Sequence, residues 1–414
     1  MAKLLTEKCK DILFMAFLAT VPLFYIMGLD LRIVQEQYFQ TACMALGALF
    51  FGNIWLTLFL WLNLILFAVH GADVGSSQVL SIFLTGILFA CSRSFFSTRD
   101  FSKYSKAISW LAVLSILFMI MQVFGVDPIS VKQNSYGIVE PNQTVNELNG
   151  IMHLPAFNGM FLTIAASLIV FYSWIGLLLV VPVIFTKCSA AILAFSLLII
   201  FYAYHKARKL IIPFILLASV LFVGYLSYDK KHDSLTFMSR FENWHLMIRK
   251  TLEMPLGYGP DSFSKFHKHK NFLFSSDEDY NPILRVKISE NEQKLLYYSA
   301  DMGKKIQRFK GRIPKLLPSW TEAHNEYIEL FFQYGIFGVL IFLGFSKEIY
   351  DRFVLSDKDK TILSLLACLL VYSALSVTQF PFHLARISGI IGIILGAYWA
   401  VTDKSYTIIK EKAI

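Results

Sequence analysis

Long apolar stretches alternate with short polar ones along most of this 414-residue chain. A helix needs about 20 mostly apolar residues to cross the hydrocarbon core of a bilayer. The pattern therefore predicts an all-α, polytopic membrane protein with about twelve transmembrane helices. The predicted spans are residues 11–28, 37–52, 54–70, 76–93, 106–125, 156–172, 174–187, 190–204, 209–227, 326–345, 361–378 and 384–402.

One long polar segment interrupts this pattern, and it sets the domain organisation. We expect residues 1–227 to form transmembrane helices one to nine and residues 228–323 to form a large, partly helical loop. Residues 324–414 then hold the last three transmembrane helices and the C-terminus.

Residues 240–252, inside the polar segment, carry apolar side chains at helical spacing. The spacing predicts an amphipathic helix that lies against the membrane domain and ends before Pro255. Its predicted apolar positions are Phe241, Trp244, Met247, Ile248 and Leu252.

Composition and charge agree with a membrane protein and give its orientation. Hydrophobic residues make up 56% of the chain and charged residues 16%, against about 25% charged residues in soluble proteins. Basic residues cluster before the first span, in three connections between spans, and at the C-terminus. With twelve spans all five clusters fall on one side, which the positive-inside rule makes cytoplasmic. Both termini are then cytoplasmic, and the large loop lies on the opposite side.

The large loop is itself basic, which favours an anionic partner such as phosphate or pyrophosphate. A chain with a net charge of +9 is basic throughout, and this explains the loop equally well. The five cysteines form no CxxC spacing, so we expect no disulfide framework and no metal site. Nucleic acid is not an expected partner, whereas membrane lipid is.

His324 and Asn325 stand where the polar segment ends and an apolar span begins. Asparagine is a favoured N-cap, so Asn325 is predicted to start this helix. The positive end of the helix dipole disfavours a protonated imidazole, and a neutral ring suits a general base. An ordinary interfacial histidine fits the same residues. Gly335 and Gly338, three residues apart on the helix, are predicted to allow close helix packing.

Three basic residues are candidates for binding an anion on the same side. Arg240, at the start of the predicted amphipathic helix, has a planar fork of donors that suits a phosphate. Lys187 lies at an outer turn, and Arg386 lies at the outer end of the last span. Each has the alternative of a solvated or snorkelling side chain.

These residues resemble the signature of a known family. His324-Asn325, nine residues, Gly335, two residues and Gly338 are similar to the His-[Asn/Ser/Gln]-X9-Gly-X-X-[Gly/Thr/Tyr] pattern of O-antigen ligases. The wider superfamily, which includes O-antigen polymerases, often has Ala-His-Asn-Glu-Tyr at this place. The stretch from Gly150 to Asn158 and the phrase Pro-Leu-Gly-Tyr-Gly at 255–259 are also similar to it. The resemblance covers roughly residues 145–400.

The resemblance implies a GT-C-like glycosyltransferase of the bacterial inner membrane that works without a metal or a cofactor. It would move a glycan from undecaprenyl pyrophosphate to an acceptor hydroxyl on the periplasmic face. The acceptor is lipid A-core in a ligase and the growing glycan in a polymerase. His324 would be the general base and Arg240 would bind the pyrophosphate. Asn325, Lys187 and Arg386 would complete the substrate site.

The chain departs from the family pattern in two places. Ser189 stands where the family often has arginine, and Phe380 stands where enteric ligases have an acidic residue. A polymerase of the same superfamily therefore stays an alternative. A transporter of lipid-linked oligosaccharides is an alternative of another class. The absence of internal repeats and the scarcity of ionisable residues within the spans argue against transport.

Overall fold

A computed structural model describes residues 53–70, 77–126, 148, 150–152, 155–206, 208, 212–213, 244–245, 247–260, 262, 325–377 and 385–413. Of these residues 83% are helical and none is in a strand, which confirms the all-α class for this part of the chain. The predicted spans 11–28 and 37–52, and all of 209–227 except residues 212–213, lie outside the described residues.

The helices follow the predicted spans closely. Three of them, α3, α6 and α7, are long and apolar enough to cross a membrane. The total of twelve spans and the outer position of the large loop stay predictions. The helices are α1 (Ile54–His70), α2 (Ser77–Phe96), α3 (Ser102–Val123), α4 (Pro155–Ile169), α5 (Val180–Phe185), α6 (Ser189–Lys206), α7 (Glu326–Leu355), α8 (Lys360–Leu375) and α9 (Ala385–Ala413).

The predicted span 174–187 is shorter than expected and only partly α-helical. A 3-10 helix, Trp174–Leu179, leads directly into α5, Val180–Phe185. Six residues at about 2.0 Å and six at about 1.5 Å give a rise of roughly 21 Å, less than the roughly 30 Å of a bilayer core. This continuous helical piece therefore packs beside its neighbours without matching a full membrane thickness.

Helix α4 lies at the centre of the bundle. Every residue from Asn158 to Leu168 is buried, and the helix contacts α3, α5, α6 and α8. Ser105 of α3 and Ser364 of α8 both donate their hydroxyl hydrogen bonds to the Leu168 carbonyl oxygen, at 2.8 and 3.3 Å. Because both hydroxyls bond the same carbonyl oxygen, this contact fixes the positions of α3, α4 and α8 relative to one another along the bundle.

Helices α2 and α9 pack in parallel over their whole contact. A Cβ added to Gly392 would come within 2.5 Å of the Thr85 carbonyl oxygen, and one added to Gly396 within 2.3 Å of the Phe89 carbonyl oxygen. These backbones approach so closely because glycine has no side chain, as in other small-residue contacts between membrane helices.

One end of the bundle holds a partly buried cluster of charged groups around the buried Arg352. Arg352 of α7 contacts Glu348 at 3.0 Å and Asp403 of α9 at 2.8 Å, and Arg93 of α2 contacts Asp403 at 2.9 Å. Asn53, just before α1, donates to Glu348 at 3.2 Å. We call this end of the bundle the basic end, because Lys206, Lys358 and Lys360 also lie on the segments that close it.

Candidate functional site

Asn325 starts α7 as the sequence predicts. Its backbone is extended, and its Oδ1 accepts a hydrogen bond from the Ile328 amide at 3.0 Å. Its Nδ2 also donates to the Val377 carbonyl at 2.9 Å, just after α8. One side chain thus caps α7 and joins it to α8, which already explains why an asparagine stands here. Its predicted part in substrate binding stays a prediction.

Two further hydrogen bonds join the first turn of α7 to the last turn of α8. The Glu326 amide donates to the Ser376 carbonyl, and the Tyr327 hydroxyl donates to the Ser373 carbonyl, each at 2.9 Å. The first amides of one helix and the last carbonyls of another lack intrahelical partners, so the two ends satisfy each other. The start of α7 is therefore held at a defined place in the bundle.

The described candidates fall at the end opposite the basic end, which we call the Asn325 end. Lys187 is exposed in the turn between α5 and α6 and has a positive φ of 54°. Arg386 lies in the first turn of α9, where the structure describes its backbone alone. Since α6, α7 and α9 all run towards the basic end, their first residues share the Asn325 end. His324 and Arg240 lie outside the described residues, so their proposed roles stay predictions.

Gly335 does not act as a helix-packing residue, and that prediction is wrong. Its φ of 58° and ψ of −153° interrupt α7 at a kink, in a region of backbone space that is essentially limited to glycine. The segment that contacts the kink, residues 255–257, is also not helical. A Cβ on Gly335 would meet the Pro255 carbonyl oxygen at 2.1 Å and the Gly257 nitrogen at 2.6 Å. Gly338 faces its own helix, since its Cβ would lie 2.4 Å from the Cβ of Tyr334.

The predicted amphipathic helix packs against α7 through a different face than expected. Residues 247–253 are helical, and Met247 is buried against Phe332, as the prediction required. Ile248 and Leu252, however, are 40% and 68% exposed. Thr251 takes the buried position, and its hydroxyl donates to the Met247 carbonyl at 2.8 Å. In a membrane protein an exposed apolar face can meet lipid, so apolar spacing alone does not identify the packed face.

A buried carboxylate in α7 was not among the predicted site residues. Glu329 is 3% exposed and Gln333 is fully buried, and the Gln333 Nε2 donates to the Glu329 Oε1 at 2.9 Å. A carboxylate inside a membrane span carries a free-energy cost, and such residues usually serve a function. The sequence signal that could have identified Glu329 is its position as an acidic residue in the first turn of the helix that follows His324-Asn325.

The stretch from Gly150 to Asn158 forms a second buried polar cluster. Ser115 of α3 donates to the Asn158 Oδ1 at 2.6 Å, and the Gly150 amide donates to the Gln122 Oε1 at 3.0 Å. Gly150 has a φ of 56°, and a Cβ there would lie 2.2 Å from the Ser115 hydroxyl oxygen. The cluster seats the chain between α3 and α4 inside the bundle, so we assign it a structural role.

Among the described residues no group of three or more His, Cys, Asp or Glu side chains is arranged to hold a metal ion. No protein-family model matches the sequence, and no curated protein matches it either. The resemblance to O-antigen ligases therefore rests on the short motifs quoted above. At these motifs the structure describes the local geometry around Asn325 and Gly335.

Proposed function

We propose that this protein is an O-antigen ligase-like glycosyltransferase of the bacterial inner membrane. It transfers a glycan from undecaprenyl pyrophosphate to a hydroxyl of lipid A-core on the periplasmic face. The observation that carries the proposal is the capped start of α7, where Asn325 directly follows His324 and is joined to α8. A group that accepts a proton from the acceptor must be held steadily, and this start of α7 is held by several hydrogen bonds.

The distribution of charge supports the proposed orientation. Arg93, Arg352 and Lys360 belong to the basic end, whereas Asn325 and Lys187 belong to the other end. Under the positive-inside rule the basic end faces the cytoplasm. The Asn325 end then faces the periplasm, where a lipid-linked glycan donor and a lipid A-core acceptor meet.

In the proposed reaction His324 takes the proton of the acceptor hydroxyl as the oxygen attacks the anomeric carbon of the donor. The bond from that carbon to the pyrophosphate oxygen breaks, and undecaprenyl pyrophosphate leaves with the electron pair. Arg240 binds the leaving pyrophosphate, and cations near it stabilise the charge that develops in the transition state. Lys187 and Arg386 would supply further positive charge at the same end.

The test is transfer by the purified full-length protein in detergent or vesicles, with an undecaprenyl-pyrophosphate glycan and lipid A-core as substrates. We expect one glycan to be transferred to lipid A-core. His324→Ala should lose at least about a hundredfold in rate, as removal of a positioned base typically does. His205→Gln is the control, since His205 lies in the last turn of α6 at the basic end. Substantial transfer by His324→Ala would remove His324 from the mechanism.

The same assay separates the alternatives. A ladder of lengthening lipid-linked glycans would identify an O-antigen polymerase, which shares the motif at His324. Movement of the lipid-linked glycan across vesicles without any covalent product would identify a transporter. Arg240→Lys keeps the charge but removes the planar fork, so we expect it to lose transfer. Full activity of that variant would contradict a bidentate contact to pyrophosphate.

A further inference from the structure

The kink in α7 is bridged by a segment that is distant in sequence. In an uninterrupted helix the Phe332 carbonyl would accept from the Ile336 amide. Here the Phe332 carbonyl accepts from the Tyr258 amide at 3.0 Å, and the Ile336 amide donates to the Pro255 carbonyl at 2.9 Å. Both partners of one broken helical bond are thus satisfied by the same short stretch of chain, residues 254–259, which we call the anchor segment.

A third backbone bond and a layer of side chains complete this contact. The Gly259 amide donates to the Gln333 carbonyl at 2.9 Å. The ring of Tyr258 stacks on Phe332 with centroids 4.8 Å apart, and Met247 is buried in the same cluster. The Tyr258 hydroxyl donates to the Lys250 carbonyl at 3.1 Å, and burial raises the pKa of that phenol.

Two glycines make the approach possible. Gly257 has a φ of 87°, and a Cβ on it would lie 2.4 Å from the Gln333 carbonyl oxygen and 2.6 Å from the Gly335 nitrogen. Gly335 meets the anchor segment equally closely from the other side. Since backbone atoms cannot move aside as a flexible side chain can, neither position accepts a side chain while the contact persists.

Hydrogen bonds lead from the anchor segment to the start of α7. The Gly259 amide bonds the Gln333 carbonyl, and the Gln333 side chain bonds Glu329. The Glu329 amide donates to the Asn325 carbonyl at 3.0 Å, and Asn325 is joined to Val377. The polar segment 228–323 is thus fixed, near its beginning, to the same helix whose start follows His324.

We infer that the anchor segment positions the loop for glycan transfer, with Gly257 and Gly335 as positioning residues. The inference rests on the proposed function, because it holds that the loop and the start of α7 carry the two parts of one site. Arg240 belongs to the loop and His324 precedes α7. Three backbone bonds at the kink hold residues 254–259 of the loop against α7 before substrate binds. Reactions of this kind are sensitive to displacements of about 1 Å.

The inference makes a specific prediction for Gly335→Ala. Alanine disfavours the kink and favours an uninterrupted helix, in which Phe332 and Ile336 bond each other again. We expect the helix to straighten and the anchor segment to be released, without general unfolding. Gly257→Ala should release the same segment through its clash with Gln333. Both variants should still insert into the membrane.

Hydrogen exchange measured by mass spectrometry on the full-length protein tests the contact directly. In Gly335→Ala, peptides covering residues 254–259 should exchange about tenfold faster or more, while peptides of α7 stay protected. Faster exchange in both regions would mean unfolding, and unchanged exchange at 254–259 would mean that the anchor does not exist. Gly125→Ala is the matched control: Gly125 also has a positive φ, 79°, but a Cβ there meets nothing within 4 Å.

Transfer kinetics test the positioning role. We expect kcat to fall about tenfold or more in Gly257→Ala and Gly335→Ala, with an unchanged amount of folded protein and with KM changed less than kcat. Wild-type rates in variants whose anchor segment has been released would overturn the positioning role. If the wild-type protein itself forms no product, the proposed function fails, and the positioning role fails with it. The exchange data would still decide whether the anchor exists.

Discussion

Removing the Arg352 side chain gives the sharpest test of the partly buried charge cluster at the basic end. The side chain is 6% exposed, and it bonds Glu348 at 3.0 Å, Asp403 at 2.8 Å and the Thr402 hydroxyl at 3.2 Å. Its guanidinium also lies over the ring of Trp399, 4.7 Å from the centroid. Arg352→Ala therefore removes a cation from contact with two carboxylates and an aromatic ring at once.

The size of the loss in stability depends on the contacts that Glu348 and Asp403 keep after Arg352 is removed. Removing one member of a buried ion pair typically costs 3–5 kcal/mol, because the other charge stays buried without compensation. Asp403 keeps Arg93, and Glu348 keeps hydrogen bonds from Asn53 and from the Trp399 indole. We therefore expect a loss at the low end of that range, about 3 kcal/mol, in the free energy of unfolding.

Lys347→Ala on the same helix is the matched control. Lys347 pairs with Asp351, and its side chain is 75% exposed, so removing it should cost less than about 1 kcal/mol. The assay is denaturant titration in detergent micelles, followed by circular dichroism and tryptophan fluorescence, whose transitions should coincide. If Arg352→Ala costs no more than Lys347→Ala, the cluster does not hold these helices together and the reasoning is refuted.

Three further predictions concern the fold and the Asn325 end. Asn325→Ala loses the cap of α7 and its bond to the end of α8, so we expect about 2 kcal/mol less stability in the same titration; wild-type stability would contradict the cap. Gly396→Ala should lower the thermal midpoint in detergent, since its Cβ would lie 2.3 Å from the Phe89 carbonyl oxygen; a wild-type midpoint would contradict the close α2–α9 contact. Glu329→Gln keeps the shape of a buried side chain and replaces its carboxyl group by an amide, so we expect membrane levels to persist and glycan transfer to fall at least about tenfold. Wild-type transfer by that variant would restrict Glu329 to a structural role.

The positions of the helices could be predicted from the sequence because a single local property decides them. Apolar length predicts α7 and α8, and a favoured capping residue predicts that α7 starts after Asn325. Both signals lie within a few residues of the feature that they predict. The unexpected helical form is at residues 174–185, where similar apolar residues fold as a 3-10 helix followed by α5. Apolar length alone does not distinguish these two geometries.

The features that could not be predicted depend on contacts between distant parts of the chain. Gly335 has the same sequence context as a packing glycine, and its kink is determined by the anchor segment. Arg352 counts as a cytoplasmic charge in the positive-inside rule, yet it is buried between two carboxylates. Ile248 fits the helical apolar spacing but is 40% exposed. In each case the residue type permits several environments, and only tertiary contacts select one.

The kink in α7 depends on a single residue, the glycine at position 335. Alanine at position 335 would allow a continuous membrane helix, in which every backbone group is satisfied internally. The chain instead has a glycine in a conformation that other residues rarely adopt, and three backbone bonds to the anchor segment satisfy the interrupted region. Breaking the helix gives up the internal bond between Phe332 and Ile336, and the anchor segment supplies both replacements. The break also holds residues 254–259 of the polar segment against the helix that follows His324. The kink thus joins the polar segment to the helix that follows His324, and this junction is the contact that the positioning role of Gly257 and Gly335 requires.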